Sequence, residues 1–192
     1  MIYYFCGHRG CGKNFLVNQI IKEVPIEIID TGPIIREVYS KYNKDNYTFK
    51  EWMEFNEKKY GENFSNMLIT KMVNIKEEKD YIVIGYRSIE GIKYFNKAFN
   101  IKDFKVYFID GDYELFRKNY NKRENRNITQ KEYNGIIELE NSMGIEKLKE
   151  FVLNNESNGK YYYKEKNDDI IYEDIILEIK NNIEKLKSER ER

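Results

Sequence analysis

The chain has 192 residues and a mass of 23.3 kDa, which is enough for a single domain with a full hydrophobic core. Its 33 lysines and arginines balance 33 aspartates and glutamates, which excludes a strong general affinity for nucleic acids and makes any affinity for phosphate a local property. The first residues lack the pattern of a signal peptide and no apolar run approaches transmembrane length, so we expect a cytoplasmic protein without a membrane partner. The only cysteines are Cys6 and Cys11, which we expect to be reduced.

The first apolar run spans residues 2–6, and a glycine-rich loop follows it. Gly7, Gly12 and Lys13 have the spacing G-x-x-x-x-G-K, and helical periodicity follows. Strand, glycine-rich loop and helix in this order are typical of a phosphate-binding P-loop, the Walker A motif, in which backbone N–H groups and the helix N-terminus bind an anion. The motif usually ends in Ser or Thr, whose hydroxyl binds magnesium, but here it ends in Asn14.

We expect this loop to bind ATP, with Lys13 acting as a point charge on the outer phosphates. Because an amide oxygen can also bind a hard cation, Asn14 is the candidate ligand for Mg²⁺. The residues predicted to bind ATP are Gly7, Arg9, Gly10, Cys11, Gly12, Lys13 and Asn14.

A second strand is predicted at residues 26–30, and it ends in Asp30. We place the N-cap of the following helix at Thr31, because Pro33 suits a first helical turn. Arg36 lies about one turn into this helix, where it can point back over the strand ends.

The middle of the chain predicts two helices and a buried strand. A capping box of Thr48 and Glu51 opens the first helix, and the second follows Gly61. The most continuous apolar run, residues 81–85, predicts a buried parallel strand. Arg87 follows this strand at once and precedes another helical pattern.

The last third of the chain continues the alternation of strands and helices. A fourth strand is predicted at residues 104–109, a helix from residue 113, and further helix after a capping box of Thr129 and Glu132. Residues 170–172 predict the last strand, whereas residues 160–163 are ambiguous. Alternating strands and helices predict an α/β fold, with a parallel sheet of five strands and helices on both faces.

Four stretches occur in the order typical of nucleoside monophosphate kinases, which belong to the P-loop kinase superfamily. They are the glycine-rich loop, residues 31–36, residues 85–87, and the loop that carries Arg123 and Arg126. Residues 31–36 resemble the T-G-x-x-x-R of adenylate kinases, whose arginine binds the acceptor phosphate, and residues 85–87 resemble a shortened G-F-P-R. Residues 85–95 are also similar to archaeal P-loop kinases related to dephospho-CoA kinase, which have G-I-R-S before a helix.

The resemblance implies a three-layer P-loop kinase fold with a short arginine-bearing lid at about residues 117–130. It also implies an acceptor-binding helical region at about residues 31–80. The length predicts a single domain at residues 1–186, and the charge of residues 187–192 predicts a frayed tail. The resemblance further implies transfer of a phosphoryl group from ATP to a nucleoside or deoxynucleoside monophosphate, with Mg²⁺ as cofactor. The implied acceptor-binding residues are Thr31, Gly32, Arg36, Gly85 and Arg87, and the implied catalytic residues are Lys13, Asp30, Arg123 and Arg126.

Two alternatives remain open from the sequence. Asp30 could act as a general base for a hydroxyl acceptor, as in dephospho-CoA kinase. The second alternative is a nucleotide-binding relative that has lost turnover. It arises because Asn14 and Ile84 stand where related kinases have the magnesium-site hydroxyl and an acidic residue.

Overall fold

The structure is a computed structural model that describes residues 1–165 and 170–190. Its strands are β1 (Ile2–Cys6), β2 (Glu27–Asp30), β3 (Tyr81–Ile84), β4 (Phe104–Gly111) and β5 (Gly159–Lys164). Its helices are α1 (Lys13–Glu23), α2 (Thr31–Tyr42), α3 (Phe49–Tyr60), α4 (Phe64–Met72), α5 (Ile89–Ala98), α6 (Tyr113–Glu124), α7 (Gln130–Ser142), α8 (Ile145–Asn154) and α9 (Ile170–Arg190).

All five strands run parallel in one sheet, in the order β2-β3-β1-β4-β5. The central strand β1 is buried along its whole length, and its side chains alternate between two hydrophobic clusters. Tyr3 and Phe5 pack with α1, α6, α7 and α9, whereas Tyr4 and Cys6 pack with α4, α5 and α8 on the opposite face. This arrangement confirms the predicted α/β fold with a five-stranded parallel sheet between two layers of helices.

The connections that follow the neighbouring strands β1 and β3 lead to opposite faces of the sheet. The helix after β1, α1, packs on one face of the sheet, and the helix after β3, α5, packs on the other. Backbones that diverge in this way open a crevice at the carboxyl ends of the strands, which is where parallel α/β sheets bind ligands. The crevice lies between the glycine-rich loop, residues 7–12, and residues 85–88.

The predicted last strand at residues 170–172 is wrong, because these residues begin α9 and the fifth strand is Gly159–Lys164. The buried side chains of α9 recur at helical spacing, at Tyr172, Ile175, Ile176 and Ile179. The apolar run at residues 170–172 is therefore the first turn of a helix with one buried face. The frayed tail predicted from residue 187 is also too long, because α9 continues to residue 190. Residues 191 and 192 lie outside the described residues.

The N-cap of α2 is Asp30 and not the predicted Thr31. The backbone of Asp30 is extended, and its Oδ1 accepts a hydrogen bond of 3.0 Å from the backbone N–H of Gly32. Thr31 is the first helical residue and is buried beside Gly85, where an added Cβ would lie 2.1 Å from the Thr31 hydroxyl oxygen. The packing of β2 against β3 therefore moves the helix start one residue towards the N-terminus.

Both predicted capping boxes are confirmed, and they begin helices α3 and α7, which both contribute residues to the site described below. At the start of α7, the Thr129 hydroxyl accepts from the Glu132 N–H at 3.3 Å, and the Glu132 carboxylate accepts from the Thr129 N–H at 2.7 Å.

Removal of this cap should destabilise the protein by a modest, measurable amount. We expect Thr129→Ala to lower the free energy of unfolding by about 1 kcal/mol, because the Glu132 N–H loses its acceptor and the Glu132 carboxylate loses the Thr129 hydroxyl. Thr129→Ser keeps the hydroxyl and should recover most of the loss in urea unfolding. Equal stability of Thr129→Ala and the wild type would contradict this account of the helix start.

Candidate functional site

The glycine-rich loop needs glycine at three positions for a steric reason. Gly7, Gly10 and Gly12 have φ values of 131°, 85° and 100°, which side chains rarely adopt. An added Cβ would lie 2.2 Å from the Ile109 carbonyl oxygen at Gly7 and 2.0 Å from the Phe116 carbonyl oxygen at Gly10. The loop therefore packs its backbone directly against β4 and α6.

Lys13 is the first residue of α1, and its ammonium group lies inside this loop. Nζ donates to the carbonyl oxygens of Gly7 at 2.5 Å and His8 at 2.9 Å, and it contacts Cys11 Sγ at 3.2 Å. The side chain is 8% exposed, so a charge is held almost out of water at the N-terminus of a helix. An anion at this point would meet both a fixed cation and the positive end of the helix dipole.

Two clefts open at this edge of the sheet. The first, of about 690 Å³, lies between the glycine-rich loop, the ends of β2 and β3, and helices α2 to α4, and we call it the arginine cleft. The second, of about 640 Å³, lies between the loop, α6 and the start of α9, and we call it the lysine cleft. The two clefts are neighbours, because both are lined by Lys13, Asn14 and Arg123.

The arginine cleft is lined by every residue predicted to bind the acceptor. These are Thr31, Gly32, Arg36, Gly85 and Arg87, and they are joined there by Asp30 and Arg9. Within the described structure, Arg36 makes no hydrogen bond or ion pair, so its guanidinium group is available to a ligand. The guanidinium of Arg87 is held from behind by the Gly85 carbonyl oxygen, which accepts from Nη1 at 2.9 Å.

The lysine cleft has a uniformly positive lining. Lys13, Lys122, Arg123 and Lys164 line it, and none of its described lining residues carries a carboxylate. Low-dielectric walls of one charge sign concentrate the field in such a cleft and favour an anionic ligand. The rings of Phe15 and Tyr172 complete the lining, with their centroids 5.6 Å apart.

Glu140 is a residue of this site that the sequence motifs do not reveal. It is fully buried on α7, with Oε2 3.1 Å from His8 Nδ1 and 3.0 Å from the Arg9 backbone nitrogen. Oε1 accepts from Arg87 Nε at 2.9 Å and lies 3.3 Å from Arg9 Nε. The signal that could have found it is its position after Tyr133 and Ile137 on the buried stripe of an amphipathic helix, where a carboxylate requires a partner.

The surroundings of Glu140 hold it in the charged form. Burial alone would raise the pKa of this carboxylate. The hydrogen bond from His8, the charges of Arg87 and Lys13, and the Arg9 N–H outweigh burial and lower the pKa from 4.5 to about 2.

The basic residues predicted for the lid divide into two groups. Arg123 lines both clefts, with its guanidinium 5.5 Å from the Tyr120 ring centroid and its Nε 2.8 Å from Glu124. The side chain of Arg126 lines neither cleft, and its catalytic role stays a prediction. Arg117 instead holds the loop before α7, because it donates to Gln130 and to the Ile128 carbonyl oxygen.

The predicted ATP-binding residues also occupy different surroundings. Gly10, Gly12, Lys13 and Asn14 line the lysine cleft, and Arg9 lines the arginine cleft. Gly7 and Cys11 line neither cleft and instead contact the Lys13 ammonium group from within the loop.

Comparisons with protein-family models and with curated proteins find no match for this chain. Among the described residues, no helix combines the length and the apolar composition that crossing a bilayer requires.

Acid should weaken the protein partly through Glu140. Because its folded-state pKa of about 2 lies below the ordinary value of 4.5, the ionised carboxylate contributes stability above the ordinary value and loses it as the pH falls towards 2. We expect Glu140→Gln to cost about 3 kcal/mol at neutral pH, and this difference from the wild type should shrink between about pH 5 and pH 2. Urea unfolding at a series of pH values measures it.

The matched control is Glu138→Gln, which changes an exposed carboxylate on the same helix. Its free energy of unfolding should equal that of the wild type at every pH. A Glu140→Gln deficit that stays constant throughout acidification would show that the charge of Glu140 is not the stabilising feature.

Proposed function

We propose that this protein is a P-loop kinase that transfers a phosphoryl group from ATP to a nucleoside or deoxynucleoside monophosphate. The observation that carries the proposal is that two neighbouring clefts share Lys13, Asn14 and Arg123 in their linings. A phosphotransferase needs two ligands whose reacting ends face each other across cationic groups. Both clefts open at the strand ends, where parallel α/β sheets bind ligands.

The lysine cleft suits the donor, ATP. Its cationic lining suits a triphosphate, and the positive end of the α1 helix dipole lies at Lys13. Phe15 is half exposed and offers an aromatic face on which a purine base can stack.

The arginine cleft suits the acceptor. Arg36 and Arg87 follow the ends of the neighbouring strands β2 and β3 and line the same cleft, so both can bind one phosphate with charge-assisted hydrogen bonds. The far end of the cleft, between α3 and α4, has room for a nucleoside and is lined by Phe49, Met53, Ser65 and Asn66.

The chemistry requires charge stabilisation more than a base. An oxygen of the acceptor phosphate attacks the γ-phosphorus of ATP, and the bond to the β–γ bridging oxygen breaks, which yields ADP and a nucleoside diphosphate. The acceptor oxygen is already anionic, so no proton must be removed. Lys13 and Arg123 line both clefts and would supply the cations that negative charge on the transferred group needs.

The oxygen-bearing side chains at the junction fit magnesium. Asn14 lines both clefts and Asp30 lines the arginine cleft, so an amide oxygen and a carboxylate are available there. Among the described residues no cluster of three or more metal-binding side chains exists, so phosphate and water oxygens would complete the coordination. When bound, the ion neutralises charge on the donor phosphates.

We also propose the cytoplasm as the location. Cys6 and Cys11 are buried and unbridged beside the loop, which suits a reducing compartment. ATP is supplied in the same compartment.

A hydroxyl acceptor is the second candidate, and Asp30 favours it. Asp30 Oδ1 caps α2, and no described residue binds its other carboxylate oxygen, which therefore could accept a proton in the arginine cleft.

A panel of acceptors tests the proposal. With ATP and Mg²⁺, we expect at least one nucleoside or deoxynucleoside monophosphate to yield a diphosphate and ADP, measured by ion-exchange chromatography. Phosphorylation of only hydroxyl acceptors, such as nucleosides or dephospho-CoA, would favour the Asp30 alternative. Binding of ATP without turnover of any acceptor would identify a non-catalytic nucleotide-binding protein.

Arg36→Ala should separate the two substrates kinetically. We expect the acceptor KM to rise about tenfold to a hundredfold, because a charge-assisted contact is lost, while the KM for ATP changes little. Lys41→Ala removes an exposed cation from the last turn of the same helix and should change neither value. An equal rise in both KM values for Arg36→Ala would argue for a structural role.

A further inference from the structure

One buried carboxylate contacts both sides of the site without lining either cleft. Glu140 has no exposed surface, and removing a carboxylate from water is costly unless charges and hydrogen bonds compensate it. The groups that compensate Glu140 are therefore the groups that it holds in place.

The two carboxylate oxygens have different partners. Oε2 binds the glycine-rich loop through His8 Nδ1 and the Arg9 backbone N–H. Oε1 accepts from Arg87 Nε and also lies 3.3 Å from Arg9 Nε, so it contacts a side chain of the loop as well. Within the described structure, no hydrogen bond or ion pair joins Arg87 directly to residues 7–12. Glu140 is thus the connection between the loop and the arginine at the end of β3.

This contact also determines which face of the Arg87 guanidinium remains available. Nε is bound by Glu140 and Nη1 by the Gly85 carbonyl oxygen, so the planar group is held along one edge. Nη2 has no hydrogen-bond partner among the described residues, and Arg87 lines the arginine cleft. A ligand there would meet a guanidinium whose orientation depends on Glu140.

We infer that Glu140 is a positioning residue that couples the glycine-rich loop to Arg87, so that order on one side of the site is transmitted to the other. An anion bound by the loop would reduce the motion of His8 and Arg9, and therefore of the Oε2 atom that they contact. Because the carboxylate group is rigid, the motion of Oε1 and of Arg87 would be reduced as well. The inference rests on the proposed function only for the identity of the two ligands, ATP and the acceptor phosphate.

Hydrogen–deuterium exchange of the ligand-free protein tests the coupling without any substrate. We expect Arg87→Met to speed amide exchange in residues 8–12 about tenfold, because the loop loses a charged anchor although Arg87 does not contact it. Arg36→Met removes another arginine of the cleft, one that has no hydrogen bond or ion pair with Glu140, and should leave exchange in the loop unchanged. Unchanged loop exchange in Arg87→Met would overturn the inference.

Glu140→Gln provides a second variant of nearly the same shape. It should also speed exchange in residues 8–12, whereas Glu138→Gln on the exposed side of α7 should not. Faster exchange confined to α7 would mean that Glu140 only braces its own helix, and the inference would be wrong.

A non-hydrolysable ATP analogue with Mg²⁺ then tests transmission. In the wild type it should slow exchange both in residues 8–12 and in residues 85–88, but in Glu140→Gln only in residues 8–12. Slowing of both segments in the variant would overturn the coupling. If the analogue slows exchange nowhere in the wild type, the proposed function fails, and the ligand-free comparison still decides the role of Glu140.

Discussion

The parallel pairing of β1 with both β3 and β4 is the constraint on which the site depends. Parallel strands bring their carboxyl ends to one edge of the sheet, so the glycine-rich loop after β1 and Arg87 after β3 become neighbours although they are far apart in the chain. Because α1 and α5 leave that edge towards opposite faces, the space between them stays open. The tight approach of Gly7 to β4 then fixes the height of the loop above the sheet.

Charge balance distinguishes the two clefts that share this edge. On the arginine side, the buried carboxylate of Glu140 compensates Arg9 and Arg87, which makes it possible to hold these two cations close together. On the lysine side, none of the described lining residues carries a carboxylate, so the lining itself is positive. The proposed donor and acceptor sites therefore differ in how much of their charge the protein itself balances.

Several elements could be predicted because their signals are local. The capping boxes at Thr48 and Thr129 depend on groups three residues apart, and the structure has both. The last strand could not be predicted in the same way, because the apolar run at residues 170–172 is too short to distinguish a strand from one turn of a helix. Pairing with the edge of β4 made residues 159–164 the strand instead.

The sequence by itself determined the fold class, the glycine-rich loop and the arginines that follow β2 and β3, since periodicity and the conformational needs of glycine are properties of neighbouring residues. Only the tertiary structure decided that Lys13, Asn14 and Arg123 line both clefts, that Arg126 lines neither, and that Glu140 joins the loop to Arg87. These outcomes depend on distances between elements that the sheet brings together. Such distances follow from strand order and helix packing, which no local pattern in the chain encodes.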